Sequence, residues 1–306
     1  MIDKRLRPHI FLLLGALIYG STAPIARCAM PDYVKPFGFI ALRNFGAMIF
    51  FQLLSLFFKG KRSKVDRSDW PALILCSAFG TALNQLTIFY GLSLTSPITE
   101  SIIITTSPIC IMLLSIAFFK KVSVTRLNVL GVLVGFFGAL LLVLYDKPDA
   151  RIATDPIWGN LMVLVGVVSF SLYFISVKRL MQKYSGIEVA RYLFTFGFFL
   201  VLPFSYKEVD QIHWHDLPPA AILSILYVVI ALSCLAYLLD LLALREVDAH
   251  VAGAYAYFEP GFATFFAILL GKDSMSLVKL TAMLLIFLGV YLVTRKSGKL
   301  KNIPNP

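Results

Sequence analysis

The sequence predicts an all-α polytopic membrane protein, with ten transmembrane helices forming two inverted five-helix repeats. Composition is the first observation behind this. Hydrophobic residues make up 58% of the 306 and charged residues only 15%, and the mean hydropathy is +0.81. That is the balance of chains that live in lipid. Length is the second: ten apolar stretches of about 20 residues follow one another, each suited to roughly 30 Å of hydrocarbon. The third is the return of Pro, Gly and Arg at matched places in the two halves.

The stretches fall at 9–29, 36–58, 70–91, 97–119, 126–145, 157–177, 187–206, 218–239, 249–270 and 277–295. The first follows Lys4, Arg5 and Arg7, a start that imitates a signal peptide. Nothing after it reads as a soluble mature domain, so it counts as a span. Its IYGSTAPIAR run holds Tyr19, Ser21, Thr22 and Pro24. Pro24 frees the carbonyl of Gly20, and the hydroxyls can re-satisfy it or line a cavity. Close packing through Gly15 and Gly20 is the competing explanation. The second stretch carries Arg43 and ends at the charged KGKRSKVDRSD segment. The third holds Asn84 and Gln85, adjacent amides pointing about 100° apart, which cannot both face lipid cheaply. One of them lining a cavity competes with an interhelical hydrogen bond.

The fourth stretch has Thr105, Thr106 and Ser107 before Pro108, and Glu100 one turn inside its outer end, read as snorkelling to the interface. In the fifth, Gly131 and Gly135 predict a close helix contact, within the bundle or in a homodimer. Tyr173 and Tyr237, in the sixth and eighth stretches, can stack on an aromatic or cationic solute. Packing is the ordinary alternative in a chain with 13 Tyr and 26 Phe. Arg191 sits in the seventh. Arg43 and Arg191 are read as structural, paired with carbonyls or reaching for an interface.

The ninth stretch, AHVAGAYAYFEPGFATFFAILL, places Glu259 and Pro260 at its midpoint, with Tyr255 one turn earlier on the same face. A carboxylate at that depth costs about 2.5–3.5 kcal/mol on insertion scales unless it faces protein or a watery cavity. Pro260 removes one N–H and displaces the carbonyl of Ala256, leaving acceptors that lipid cannot satisfy. A protonated acid tied to a neighbouring carbonyl is the plain reading; a substrate or proton site is the functional one.

Charge placement sets the topology. With the N-terminus cytoplasmic, the inside segments hold 19 Lys and Arg and the outside segments 6, which favours both termini inside. The net charge of +11 therefore reports orientation, and no nucleic-acid partner is expected. Cys28, Cys76, Cys110 and Cys234 lie in apolar runs without regular spacing, as small buried hydrophobes. His213 and His215 flank Trp214 in an outer loop, a weak metal pattern and an ordinary interfacial anchor. Asp240 ends the eighth stretch near Arg245, Glu246 and Asp248, as a cytoplasmic gate or a solvated helix end.

The halves run over 9–145 and 157–295. Pro108 pairs with Pro260 at an offset of 152, Gly138 with Gly289 at 151, and Arg43 with Arg191 at 148. Five spans is an odd number, so the second copy lies upside down. Inverted repeats with Pro-interrupted helices at corresponding places point to secondary transport around a midplane site.

On these residues the sequence resembles the drug/metabolite transporter superfamily, in particular its ten-helix EamA-like branch, over nearly the whole chain. The resemblance implies an inner-membrane carrier of amino acids, nucleobases, other metabolites or drugs, often an exporter. It also implies a central cavity lined by the first, third, fourth, sixth, eighth and ninth helices, and no ATP-hydrolysing module. One departure stands out: where such proteins often carry a Glu after the fourth and ninth helices, this chain has Lys121 and Asp273. Asp273 can serve that role; Lys121 cannot.

The expected substrate and proton site is therefore Glu259, Pro260, Tyr255, Tyr19, Thr22, Asn84, Gln85, Thr105, Tyr173 and Tyr237, with Arg43, Arg191 and Pro108 structural. No catalytic residues, metal or cofactor are expected. The partners are a small solute and the bilayer, with proton coupling and a homodimer left open. A membrane-embedded enzyme or a non-transporting receptor is the competing class. The sequence has no P-loop, no H-E-x-x-H helix and no clustered nucleophiles.

Overall fold

The computed structural model describes residues 6–57, 65–118, 126–145, 153–243, 255 and 258–295. Among them every regular element is helical. The readings on Lys121, Arg245, Glu246, Asp248 and the Asp240 side chain lie outside the described residues.

The helices are α1 (Arg7–Ala26), α2 (Pro36–Phe57), α3 (Arg67–Leu94), α4 (Pro97–Ile104), α5 (Ser107–Phe118) and α6 (Arg126–Tyr145). They are followed by α7 (Pro156–Lys183), α8 (Gly186–Asp210), α9 (Pro219–Leu239), α10 (Glu259–Leu269) and α11 (Leu277–Arg295). Among the described residues, six are long and apolar enough to cross a membrane: α1, α2, α3, α7, α8 and α9. The shorter apolar segments lie at Pro97–Ile111, Arg126–Gly138, Glu259–Leu269 and Leu277–Gly289.

Local chemistry explains the starts. Pro stands at the first turn of α1, α4, α7, α9 and α10, where its missing N–H costs nothing. Side chains of Ser96, Asp155 and Ser185 accept from Thr99 N, Trp158 N and Glu188 N, capping α4, α7 and α8.

The predicted single span 97–119 is broken. Its first part ends at Ile104, where Thr105, Thr106 and Ser107 donate their hydroxyls to the carbonyls of Ile102, Ile103 and Ile104, and α5 begins at Ser107 with Pro108 second. Likewise α10 begins at Glu259, with Pro260 in its first turn, so the proline predicted at mid-span stands at a helix start.

Two irregularities escaped the sequence reading. A π-helical segment widens α3 at Ala78–Leu83, and another widens α9 at Val228–Ala236. They begin 150 residues apart, in the third span of each half. Such widenings recur at functional sites.

Packing shows the same correspondence. The helices α2 and α8 run along one another, as do α6 and α11; α1 packs on α9 and α10, while α7 packs on α3, α4 and α5. Exchanging the first five spans for the last five maps these pairs onto each other. At the α6–α11 crossing a Cβ on Gly289 would stand 2.6 Å from Gly135 N and 2.7 Å from Gly131 O. The Gly131/Gly135 contact is therefore one within the bundle.

The radial distribution is that of a protein in lipid. Leu13, Phe45, Leu53, Phe137, Phe199 and Leu223 are exposed, while Asn44, Asn160, Thr95, Ser171 and Ser233 are fully buried. Buried polar groups of this kind bond across helices because lipid offers no partner.

Candidate functional site

Tyrosines from separate spans form the centre of the candidate site. Tyr173 on α7 and Tyr237 on α9 share a hydrogen bond, 2.7 Å between hydroxyl oxygens. A Cβ on Gly80 would meet the Tyr173 ring at 2.6 Å, so the glycine in the widened part of α3 makes room for it. The Tyr237 ring stands edge-on to Phe194 and Phe51, which stack on each other at 5.4 Å and 7°. Tyr19 lies within electrostatic reach of Tyr173. Three of the predicted residues thus come together.

The same space receives Arg43. Its Nε donates to Ser233 Oγ at 2.9 Å, and its guanidinium lies over the Phe89 ring at 5.5 Å. Tyr19 and Tyr237 are within electrostatic reach. The expected carbonyl pairing or interfacial reach of Arg43 is therefore corrected: α2 turns this side chain inward, onto a polar wall. Ser233 went unnoticed in the sequence, because its placement depends on the widened turn, where its hydroxyl donates to Val228 O five residues back. Arg191 is different. It pairs with Glu188 at 2.9 Å one turn away and lies over the Tyr192 ring at 4.7 Å.

Glu259 is half-buried and opens α10. Gly20 of α1 faces this start; a Cβ there would stand 2.5 Å from Glu259 O and 2.8 Å from Phe262 Cβ. Gly20 thus permits the close approach that brings α1 to the acidic turn. Tyr255 hydrogen-bonds His9 Nδ1 at 2.8 Å, joining the N-terminal end of α1 to the segment before α10. His9 was missed, since a lone His beside a basic terminus carries no signal.

Other predicted residues are engaged elsewhere. Thr22 Oγ1 donates to Ile18 O within its own helix, and Ser21 Oγ bonds both its own helix and Tyr227 Oη at 2.6 Å. Asn84 Nδ2 donates to Gly166 O, and Gln85 Oε1 accepts from Asn44 Nδ2; both amides make the interhelical bonds that competed with the cavity reading. Thr105 closes α4.

Glu100 does not snorkel. It is 6% exposed, in the first turn of α4 against α10, α7 and α1. Asp273 is buried in an ion pair with Lys279, 2.6 Å, and its other oxygen accepts from Ile98 N, tying the α10–α11 connection to the start of α4. Lys279, in the first turn of α11, is 1% exposed. His213, Trp214 and His215 are all exposed, and no group of three metal-binding side chains exists among the described residues.

Comparison with known proteins decides the family. The EamA-like transporter family pattern matches residues 6–144 and 157–295. The chain belongs to the EamA-like transporter family. Relatives of this transporter include the uncharacterized transporter YetK of Bacillus subtilis (strain 168), 20% identical over 297 residues, covering 97% of this chain and 89% of that one. An uncharacterized transporter of Archaeoglobus fulgidus is 23% identical, covering 95% and 98%. The uncharacterized inner membrane transporter YicL of Salmonella typhimurium is 23% identical, covering 94% and 95%. A solved crystal structure, 22% identical, superposes with a TM-score of 0.62 over 95% of this chain and 99% of the other, which shows a shared fold. The protein is a multi-pass membrane protein of a transporter family.

Proposed function

We propose that the protein is a secondary transporter that exports a small metabolite across the inner membrane, the solute being an amino acid, amine, nucleobase or drug-like molecule. It works by alternating access around a midplane cavity, as a carrier and not an enzyme, with both termini cytoplasmic and the repeats 9–145 and 157–295 inverted. One observation carries this reading: α5 begins at Ser107–Pro108 and α10 at Glu259–Pro260, so helix starts stand at matched positions of the two halves. Interrupted helices at corresponding places of two inverted repeats are where secondary transporters hold solute and coupling ion. Tyr173, Tyr237 and Ser233 bring hydroxyls into the bundle, and Arg43 brings a charge.

In this scheme Glu259 takes and releases the coupling proton. Access from one side at a time lets the proton exchange only with the water on that side. The test is uptake and counterflow of amino acids and nucleobases in proteoliposomes, wild type beside Glu259→Gln, with and without a pH gradient. Gradient-driven flux should vanish in the variant while counterflow survives. Unchanged gradient-driven flux would remove Glu259 from the mechanism.

A further inference from the structure

Arg43 is the eighth residue of α2, about 10 Å along the helix from its start at 1.5 Å per residue. Its charge is permanent at any physiological pH. Among the described residues the groups around it are Ser233, Phe89, Tyr19, Tyr237 and Cys234, all uncharged at neutral pH. The ion pairs among the described residues are Lys183–Asp69, Arg191–Glu188 and Lys279–Asp273, and Arg43 is in none of them. Its Nε has Ser233; among the described residues the two terminal nitrogens have no protein acceptor. The side chain is half-buried, and its neighbours among the described residues come from α1, α3 and α9.

The other half of the protein supplies a control. Arg191 occupies the matching place in α8 and is neutralised by Glu188. The repeated arginine therefore does two different things: one is closed by a carboxylate of its own chain, while the other, with no carboxylate among the described residues, lies among Tyr19, Phe89, Ser233 and Tyr237. A charge inside a membrane normally pairs or marks a solute path, and a guanidinium edge with two free N–H directions fits a planar carboxylate.

We infer that Arg43 is the anchor for a carboxylate carried by the transported solute, with the Tyr19 and Tyr237 side chains beside it. This rests on the transporter reading and narrows it: simple amines and uncharged nucleobases are not the principal cargo.

Two matched triads test it: tyrosine, 4-hydroxyphenylacetate and tyramine; leucine, 4-methylpentanoate and 3-methylbutylamine. Each is assayed for thermal stabilisation of the purified protein and for counterflow in proteoliposomes. The acids and amino acids of at least one triad should bind and exchange, and the amines should not. Arg43→Gln should weaken the apparent affinity for the carboxylate-bearing members by roughly 10- to 100-fold, with Arg43→Lys between. Should the variants fold poorly, wild-type protein still reports. Phenylglyoxal labelling of Arg43, followed by peptide mass, should be slowed by the acids and not by the amines. Exchange of amines without acids, or equal labelling under all solutes, would overturn the anchor while leaving a transporter. A folded wild type that exchanges neither triad nor any nucleobase would overturn both.

Discussion

The hydroxyls of Tyr173 and Tyr237 meet at 2.7 Å, joining the sixth and eighth membrane-spanning stretches inside the bundle. Each ring is also held by packing, Tyr237 against Phe51 and Phe194, Tyr173 against Phe170. Replacing either residue with Phe keeps the ring and removes only the bond. Such bonds in membrane proteins average about 0.6 kcal/mol and reach about 1.7. Each Phe variant should therefore lower the melting temperature slightly, and the double variant should cost less than the sum. Additive losses in a thermal-melt cycle would show that the two hydroxyls act separately.

What the sequence revealed follows from what its signals encode. Hydropathy gave the spans and Lys/Arg placement gave an expected orientation, because both are linear properties. The prolines at 108 and 260 marked helix starts for a local steric reason. The direction of Arg43 was not legible, nor was its contrast with Arg191, because that depends on which helix stands opposite and on the π-helical turn that holds Ser233. The burial of Lys279 was not legible for a related reason: a lysine beside a loop looks solvated until Asp273 is folded onto it. Glu100, too, looked interfacial until α10 was seen packed across its turn.

The α6–α11 crossing predicts opposite effects for two glycines. A Cβ on Gly289 would press on the backbone of Gly135 and Gly131, which cannot swing aside. Gly261, early in α10, has nothing within 4 Å of its Cβ position. Gly289→Ala should cost about 1–3 kcal/mol by overpacking. Gly261→Ala should be neutral or add up to about 1 kcal/mol through helix propensity. Melting of the two variants side by side checks the ranking, and equal melting temperatures would refute the close crossing.

Lys183 lies just beyond the span Pro156–Met181 and joins the start of α3, its Nζ 2.9 Å from Asp69 Oδ2, which also accepts from Tyr184 Oη at 2.7 Å. The hydrogen bond to the Asp69 carboxylate holds the Lys183 ammonium above its ordinary range. With the folded value raised, the stabilisation is fully present below the usual lysine value of about 10.4. It fades only as pH rises through the higher folded value. Lysine titration therefore leaves the contact intact between about pH 5 and 8. Lys183→Gln should alter the rate of flux without moving the midpoint of its pH dependence, whereas Glu259→Gln should abolish that dependence. A shifted midpoint in Lys183→Gln, read from flux at stepped pH, would count against this division of roles.

The Asp273–Lys279 pair should be among the most sensitive to single replacement. Both side chains are almost fully buried, at 1% and 2% exposure. Asp273 accepts from Lys279 Nζ, Ser274 N and Ile98 N, and Lys279 donates also to Ser274 O. Removing Asp273 alone strands an ammonium in a dry site and releases the first turn of α4, which packs on α10. The expected cost of breaking such a pair is about 3–5 kcal/mol. Removing both charges together leaves no uncompensated ion, and an apolar replacement of similar volume is often nearly neutral. Asp273→Ala should therefore melt well below wild type, while Asp273→Ala with Lys279→Met recovers most of the loss. If the double variant melts no higher than Asp273→Ala, the damage comes from the lost Ile98 and Ser274 bonds and not from the stranded charge.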